Sequence, residues 1–115
     1  MGAMTLFDLA QRGMSAQMVR INAAASNLAN AGSVSATADG AYRPIRPVFA
    51  EQFDRATGLS SVDVASVQRS TAAPVKQYNP GHPLADSEGN VWEAPVDESA
   101  EMVEMLDASR QYQNL

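Results

Sequence analysis

Apolar residues near the start of the chain recur three and four positions apart, at Phe7, Ala10, Met14, Gln17, Ile21, Ala24, Leu28 and Ala31. Seven of those eight positions are apolar, and Met18 and Ala25 widen the stripe. This spacing predicts a helix carrying a coiled-coil-like seam for helix–helix packing. Thr5 suits the N-cap, Asp8 completes an approximate capping box, and Met4 with Leu9 occupies the hydrophobic-staple positions. Asn30-Ala31-Gly32 offers a left-handed C-cap.

The same spacing returns at the other end. Met105, Ala108, Tyr112 and Leu115 form a second seam, with Met102 and Leu106 beside it. Asp97 reads as the N-cap, and Glu98, Glu101 and Glu104 lie near the positive end of that helix dipole.

Between the two helices the pattern breaks into turns and short strands. Ser33 to Gly40 reads as a small-residue loop, and Tyr42 to Phe53 as an extended or edge segment restricted by Pro44 and Pro47. Ser61 to Val67 alternates as a strand, and Val75 to Tyr78 is a shorter one. Asn79 to Pro83 is a turn, Asp86 to Asn90 the bend of a hairpin, and Val91 to Ala94 its return strand. Trp92 reads as the anchor of this part, on a shelf supplied by Tyr42, Phe49 or Phe53. The fold class is therefore α+β. An N-terminal helix over residues 1–31 and a C-terminal helix over 97–115 flank a β-rich insert over 32–96.

Composition narrows the function. A chain of 115 residues holds one small domain, and with alanine prominent among its apolar residues and only seven aromatics it supplies little bulk for an enclosed site. Net charge is −5, no Lys/Arg cluster occurs, and Lys76 is the only lysine, so nucleic-acid binding is disfavoured. No apolar run approaches the roughly 18–20 residues of a membrane span, so membrane insertion is not expected. Cysteine is absent, which removes thiolate chemistry and sulfur-ligated metals. The first residues lack a basic region before an apolar core and do not read as a cleaved secretory signal.

The polar side of the first helix is unusual. From Asp8 to Ala31 its only charges are Asp8, Arg12 and Arg20, whereas a solvent-facing helix carries a charged outer face. Contacts on more than one side are therefore expected. The shorter second helix cannot supply them all, which assigns the remainder to neighbouring subunits. Head-to-tail contacts between unlike patches extend into a filament unless they close into a ring.

Three separated motifs resemble a known family. Asn22 with Ala24-Ala25-Ser26-Asn27-Leu28-Ala29-Asn30 is similar to the asparagine-rich N-terminal motif of flagellar rod and hook proteins. Tyr78 to Asp86 with Gly89 and Val91, and Glu101-Met102-Val103 with Ala108 to Gln113, resemble the flagellar basal-body rod proteins in particular. The family motif closes on Thr-x-Gly-Tyr, whereas here a loop intervenes before Ala41-Tyr42. The resemblance also implies a C-terminal helix longer than residues 97–115 supply.

The resemblance implies an axial polymer in the periplasmic part of the basal body that passes torque outward. Its partners would be copies of itself, other rod proteins, a rod-base adaptor and the flagellar type III export apparatus. No catalytic group, cofactor or metal is implied. The assembly interface is expected at Phe7, Met14, Met18, Ile21, Asn22, Ser26, Asn27, Leu28 and Asn30, and at Met102, Met105, Leu106 and Tyr112. Asn27 and Asn30 are expected to fix register between subunits, as buried asparagines do in coiled coils.

Other readings of the residues are weaker. His82, between Gly81 and Pro83, reads as a turn residue, and the acids from Asp97 to Glu104 as helix-start charges. A cell-wall-acting enzyme using Glu93 or Glu98 would need a carboxylate pair in a deep pocket. A coiled-coil adaptor or a phage axial protein would share the helical ends but not the Tyr78–Val91 motif.

Overall fold

The computed structural model describes residues 5–115. Helix α1 spans Leu6–Ala29 and opens as the sequence predicts. The Asp8 N–H donates to Thr5 Oγ1 at 3.1 Å, and the Thr5 N–H donates to Asp8 Oδ2 at 3.2 Å. Both halves of the capping box form even with the short aspartate. The expected staple involves Met4, which lies outside the described residues.

The C-terminus of α1 differs from expectation. Asn30 has φ −105°, and among the described residues only Gly58 and Gly89 have positive φ. A left-handed cap is not used. The Asn30 side-chain amide instead donates to the Ser26 carbonyl at 2.9 Å, and Ser33 Oγ donates to the Asn30 carbonyl at 2.8 Å. Side-chain groups serve the carbonyls that a left-handed residue would otherwise reorganise.

The segment 32–96 folds as two separate sheets. Strands β2 (Ile45–Asp54) and β3 (Leu59–Arg69) form a long antiparallel hairpin with a bulge after Val48. Both strands of a two-stranded hairpin are edges, which is why Pro47 is tolerated inside β2. Strands β1 (Val34–Ser35), β5 (Asn90–Glu93) and β4 (Val75–Tyr78) form a three-stranded antiparallel sheet in the order β1-β5-β4. The loop read at Ser33 to Gly40 therefore contains a two-residue strand, recruited by the open edge of β5.

The turn before β5 follows its sequence. Asp86 Oδ1 accepts from the Glu88 and Asn90 N–H groups at 2.9 Å each, and the Asn79 N–H donates to the Gly89 carbonyl at 2.8 Å. Gly89 has φ +81°, and a Cβ there would come within 2.9 Å of the Tyr78 ring. A side chain at this position is excluded twice over.

Trp92 sits on the central strand of the three-stranded sheet, opposite Ser35 and Lys76. The shelf expected from Phe49 or Phe53 is not there. Both belong to the other sheet, β2 does not touch β5, and Phe53 is exposed near the hairpin tip.

Helix α2 spans Glu98–Gln113, with the Ala100 N–H donating to the Asp97 cap at 3.1 Å. It runs antiparallel to α1. Glu101 meets Asn27, Glu104 meets Arg20, and the Leu115 side chain lies where a Cβ on Gly13 would stand, 3.1 Å away. The hairpin lies along α1 as well, from Ile45 beside Asn27 to Asp63, whose carboxylate pairs with Arg12 at 3.1 Å. The result is a shaft of α1, α2 and the hairpin, with the three-stranded sheet attached through the segment after α1, where the Ala94 N–H donates to the Ser33 carbonyl.

The molecule measures 63 × 24 × 16 Å, with a radius of gyration of 19.0 Å. A compact chain of similar length has about 13 Å. Such a shape encloses little. Among the described residues the buried hydrophobic side chains are Ala16, Ala23, Ala24, Ala31, Ala41, Val91, Ala94 and Ala108, with valine the only large one.

Candidate assembly surface

The inward sides of the two helices are built from small and polar residues. Ala16, Ala23, Ala24 and Asn27 are the buried residues of α1, and Glu101 and Ala108 those of α2. Alanines allow close backbone approach, and two polar clusters fix the contact. In the first cluster, Asn27 is fully buried and uses its whole hydrogen-bonding capacity. Its Nδ2 donates to the Ile45 carbonyl at 2.9 Å and to both Glu101 carboxylate oxygens at 3.1 Å. Its Oδ1 accepts from the Ile45 N–H at 2.9 Å and from the Tyr42 hydroxyl at 2.7 Å. The amide thus pairs with the first residue of β2 as a neighbouring strand would.

Glu101 is 1% exposed, and its charge is met by Arg46, which donates from Nη1 at 3.0 Å and from Nη2 in a shorter bond. Ser26 Oγ lies 3.1 Å from the Tyr42 hydroxyl and closes the cluster. In the second cluster Arg20 bonds to both Glu104 oxygens, to Asp107 at 2.7 Å and to Gln17 at 2.7 Å. Hydrogen bonding to Glu104 raises the Arg20 pKa above its ordinary value, against the opposing effect of burial. Hydrogen bonding to Glu101 raises Arg46 in the same way.

The larger apolar side chains face outward. On α1, Leu6 is 72% exposed, Phe7 70% and Met18 41%, while Met14, Ile21 and Leu28 are half-buried along the edge of the contact. On α2, Met102 is 56% exposed, Val103 66% and Leu106 65%. At 3.6 residues per turn, the seam at the N-terminal end of α1 is rotated by roughly 100° from the buried line. Within the chain, then, the seam contributes its small residues Ala24 and Ala108, and Leu115 against Gly13, to the helix–helix contact, while Phe7, Met18, Met102 and Leu106 stay exposed.

The expected interface residues therefore separate into groups. Phe7, Met18, Asn22, Met102, Leu106 and Tyr112 are exposed, and Met14, Ile21, Ser26, Leu28, Asn30 and Met105 are half-buried. Asn27 is fully buried, its amide bonded to β2 and α2 within the chain. Sequence reasoning did not find Val103, although it sits three residues before Leu106 on the same side. It also missed the partnership of Asn27 with Ile45, Tyr42 and Glu101, for which the sequence carries no local signal.

The remaining polar candidates have local roles. His82 Nδ1 accepts from the Leu84 N–H at 3.0 Å and tightens its own turn. Glu93 accepts from Gln77 on the adjacent strand, and Glu98 is exposed in the first turn of α2. A groove of about 480 Å³ runs between α1 and the hairpin, bordered by Leu9, Gly13, Phe49 and Val62. Ser61 is buried beside it, with its hydroxyl unpaired among the described residues. Among the described residues, no helix is long and apolar enough to cross a membrane.

A slender chain with paired terminal helices and outward-turned apolar side chains is the geometry of a subunit rather than of an enclosing fold, and comparison with known proteins leads to the flagellar basal-body rod proteins. The chain is 45% identical over 115 residues to the flagellar basal-body rod protein FlgC of Salmonella typhimurium, covering 98% of this chain and 84% of that protein. It is 42% identical over 113 residues to FlgC of Escherichia coli, with the same coverage. Against FlgC of Borreliella burgdorferi the identity is 33%, covering 98% of this chain and 86% of that protein. No protein-family model matches the chain. The chain belongs to the FlgC family of flagellar basal-body rod proteins.

Proposed function

We propose that the chain is a structural subunit of the proximal flagellar rod, joined to copies of itself and to other rod proteins through the outward sides of α1 and α2. The observation that carries this is the exposure of Leu6, Phe7, Met18, Met102, Val103 and Leu106 on the two terminal helices of a FlgC relative. Large apolar side chains left in water on both helices are a docking surface in waiting. Coiled-coil packing of the Phe7–Leu28 seam then arises between subunits. The interface comprises Phe7, Met14, Met18, Ile21, Asn22, Ser26, Leu28, Asn30, Met102, Met105, Leu106 and Tyr112. Torque passes along the stacked subunits, and the chain itself catalyses nothing. The subunit leaves the cell through the flagellar type III export channel and meets a rod-base adaptor.

The test is complementation of a strain lacking its own FlgC. The wild-type chain is expected to restore rods and swimming. Met18→Asp and Leu106→Asp, each placed on an exposed position, are expected to be produced and exported yet to leave the rod unbuilt. Normal swimming with both substitutions would refute the interface.

A further inference from the structure

Helix α2 has two sides that could face α1. One carries Met102, Val103 and Leu106; the other carries Glu101 and Ala108, with the half-buried Met105 beside them. Hydrophobic burial alone favours turning the first side inward. The structure does the reverse: Glu101 and Ala108 are 1% and 0% exposed, while Leu106 is 65% exposed. Something stronger than apolar preference holds the polar side in.

We infer that the buried polar cluster around Glu101, with the half-exposed cluster around Arg20, acts as a rotational lock, keeping α2 turned so that its apolar side stays outward and available. Each cluster links specific positions. Glu101 is held by Asn27 from α1 and by Arg46 from β2, and Arg46 is backed by the Ile45 carbonyl at 3.0 Å. Arg20 grips Glu104 and Asp107, which lie three residues apart on α2, and so fixes the same rotation a turn further along. Buried polar pairs choose one arrangement among several of similar apolar content, because every other arrangement leaves a charge unpaired. The small size of Ala108 lets the helices approach closely enough for these bonds to form.

Without the lock, α2 turns by about a third of a revolution. Met102 and Leu106 then lie against α1, and the outward surface is lost inside the monomer. The inference concerns the free chain, so its failure would leave the rod assignment standing.

The natural absence of cysteine makes the test clean. Leu106→Cys and Ala108→Cys are introduced singly into the purified chain, with and without Glu101→Ala, and maleimide labelling rates are measured. With Glu101 present, position 106 labels fast and position 108 slowly. With Glu101→Ala the order is expected to invert, position 106 slowing and position 108 quickening by about tenfold each, since protection follows the free energy of local exposure. Quickening at 108 with unchanged fast labelling at 106 means that α2 has detached or unfolded, and would overturn the lock. Unchanged rates at both positions would overturn it equally. Arg20→Ala provides a second, milder background in which the same inversion, smaller in size, is expected and the same two contrary patterns count against the inference.

Discussion

The two sides of the paired helices are built on opposite rules. The most buried residues of the contact are alanines, one asparagine and one glutamate, joined by an arginine and a second glutamate and closed by Leu115 against Gly13; among the most exposed are phenylalanine, leucines, valine and methionines. In a self-sufficient domain the large apolar residues line the contact and the charges face water. Here the inner side is organised for specificity and close approach, and the outer side keeps the burial that has not yet occurred. The difference teaches that large apolar side chains and burial part company in this chain: polar pairs occupy the helix contact, and Phe7, Met18, Met102 and Leu106 are left exposed.

The sharpest way to break that contrast is Asn27→Ala. It orphans the Ile45 N–H and removes one bond each from the Ile45 carbonyl, the Tyr42 hydroxyl and the Glu101 carboxylate. A loss of about 2–5 kcal/mol is expected from buried groups left unpaired. Urea unfolding of the purified chain measures it, and a midpoint unchanged from wild type would mean that the cluster does not hold the shaft together. Next in size is Ala108→Leu, which enlarges a residue with no exposed surface. Overpacking there is expected to cost about 1–3 kcal/mol, read from the same unfolding curves.

On the outer side, Met18→Ser is expected to shift the stability of the free chain by less than about 0.5 kcal/mol while lowering rod assembly. A large loss of monomer stability would show Met18 to be covered from within.

The smallest effect expected is that of pH on the arginine clusters. Arg20 and Arg46 have pKa values raised by their carboxylate partners, so their stabilising contribution is complete below the usual guanidinium value. It is lost only as pH rises through the raised value. Between about pH 6 and pH 9 these arginines therefore contribute no slope to the unfolding free energy, and thermal melts across that window test the point.

Much of the fold was legible because its signals are local. The Thr5–Asp8 box, the Asp97 cap, strand Val75 to Tyr78 and the Asp86–Gly89 turn each depend on residues within a few positions of one another. The three motifs likewise pointed to the family through residues that stand together. The rotation of the helices was not legible. Periodicity locates a stripe of large apolar residues, but it does not say whether the partner of that stripe is the same chain or another. The role of Asn27 was hidden for a related reason: its partners lie 18 and 74 residues away. Nothing near it marks an amide that serves as a strand partner for Ile45. The pairing of β2 with β3 fell between these cases. Pro47 correctly marked an edge, and in a two-stranded hairpin every strand is one.

A cryo-EM map of a basal body assembled from this chain tests most directly whether the outward sides of α1 and α2 are its joints. Phe7, Met18, Met102 and Leu106 are expected to be enclosed by side chains of adjoining subunits, with Asn27 and Glu101 still bonded inside their own chain. A rod in which those four side chains stand in solvent, while neighbours meet through other surfaces, would contradict it.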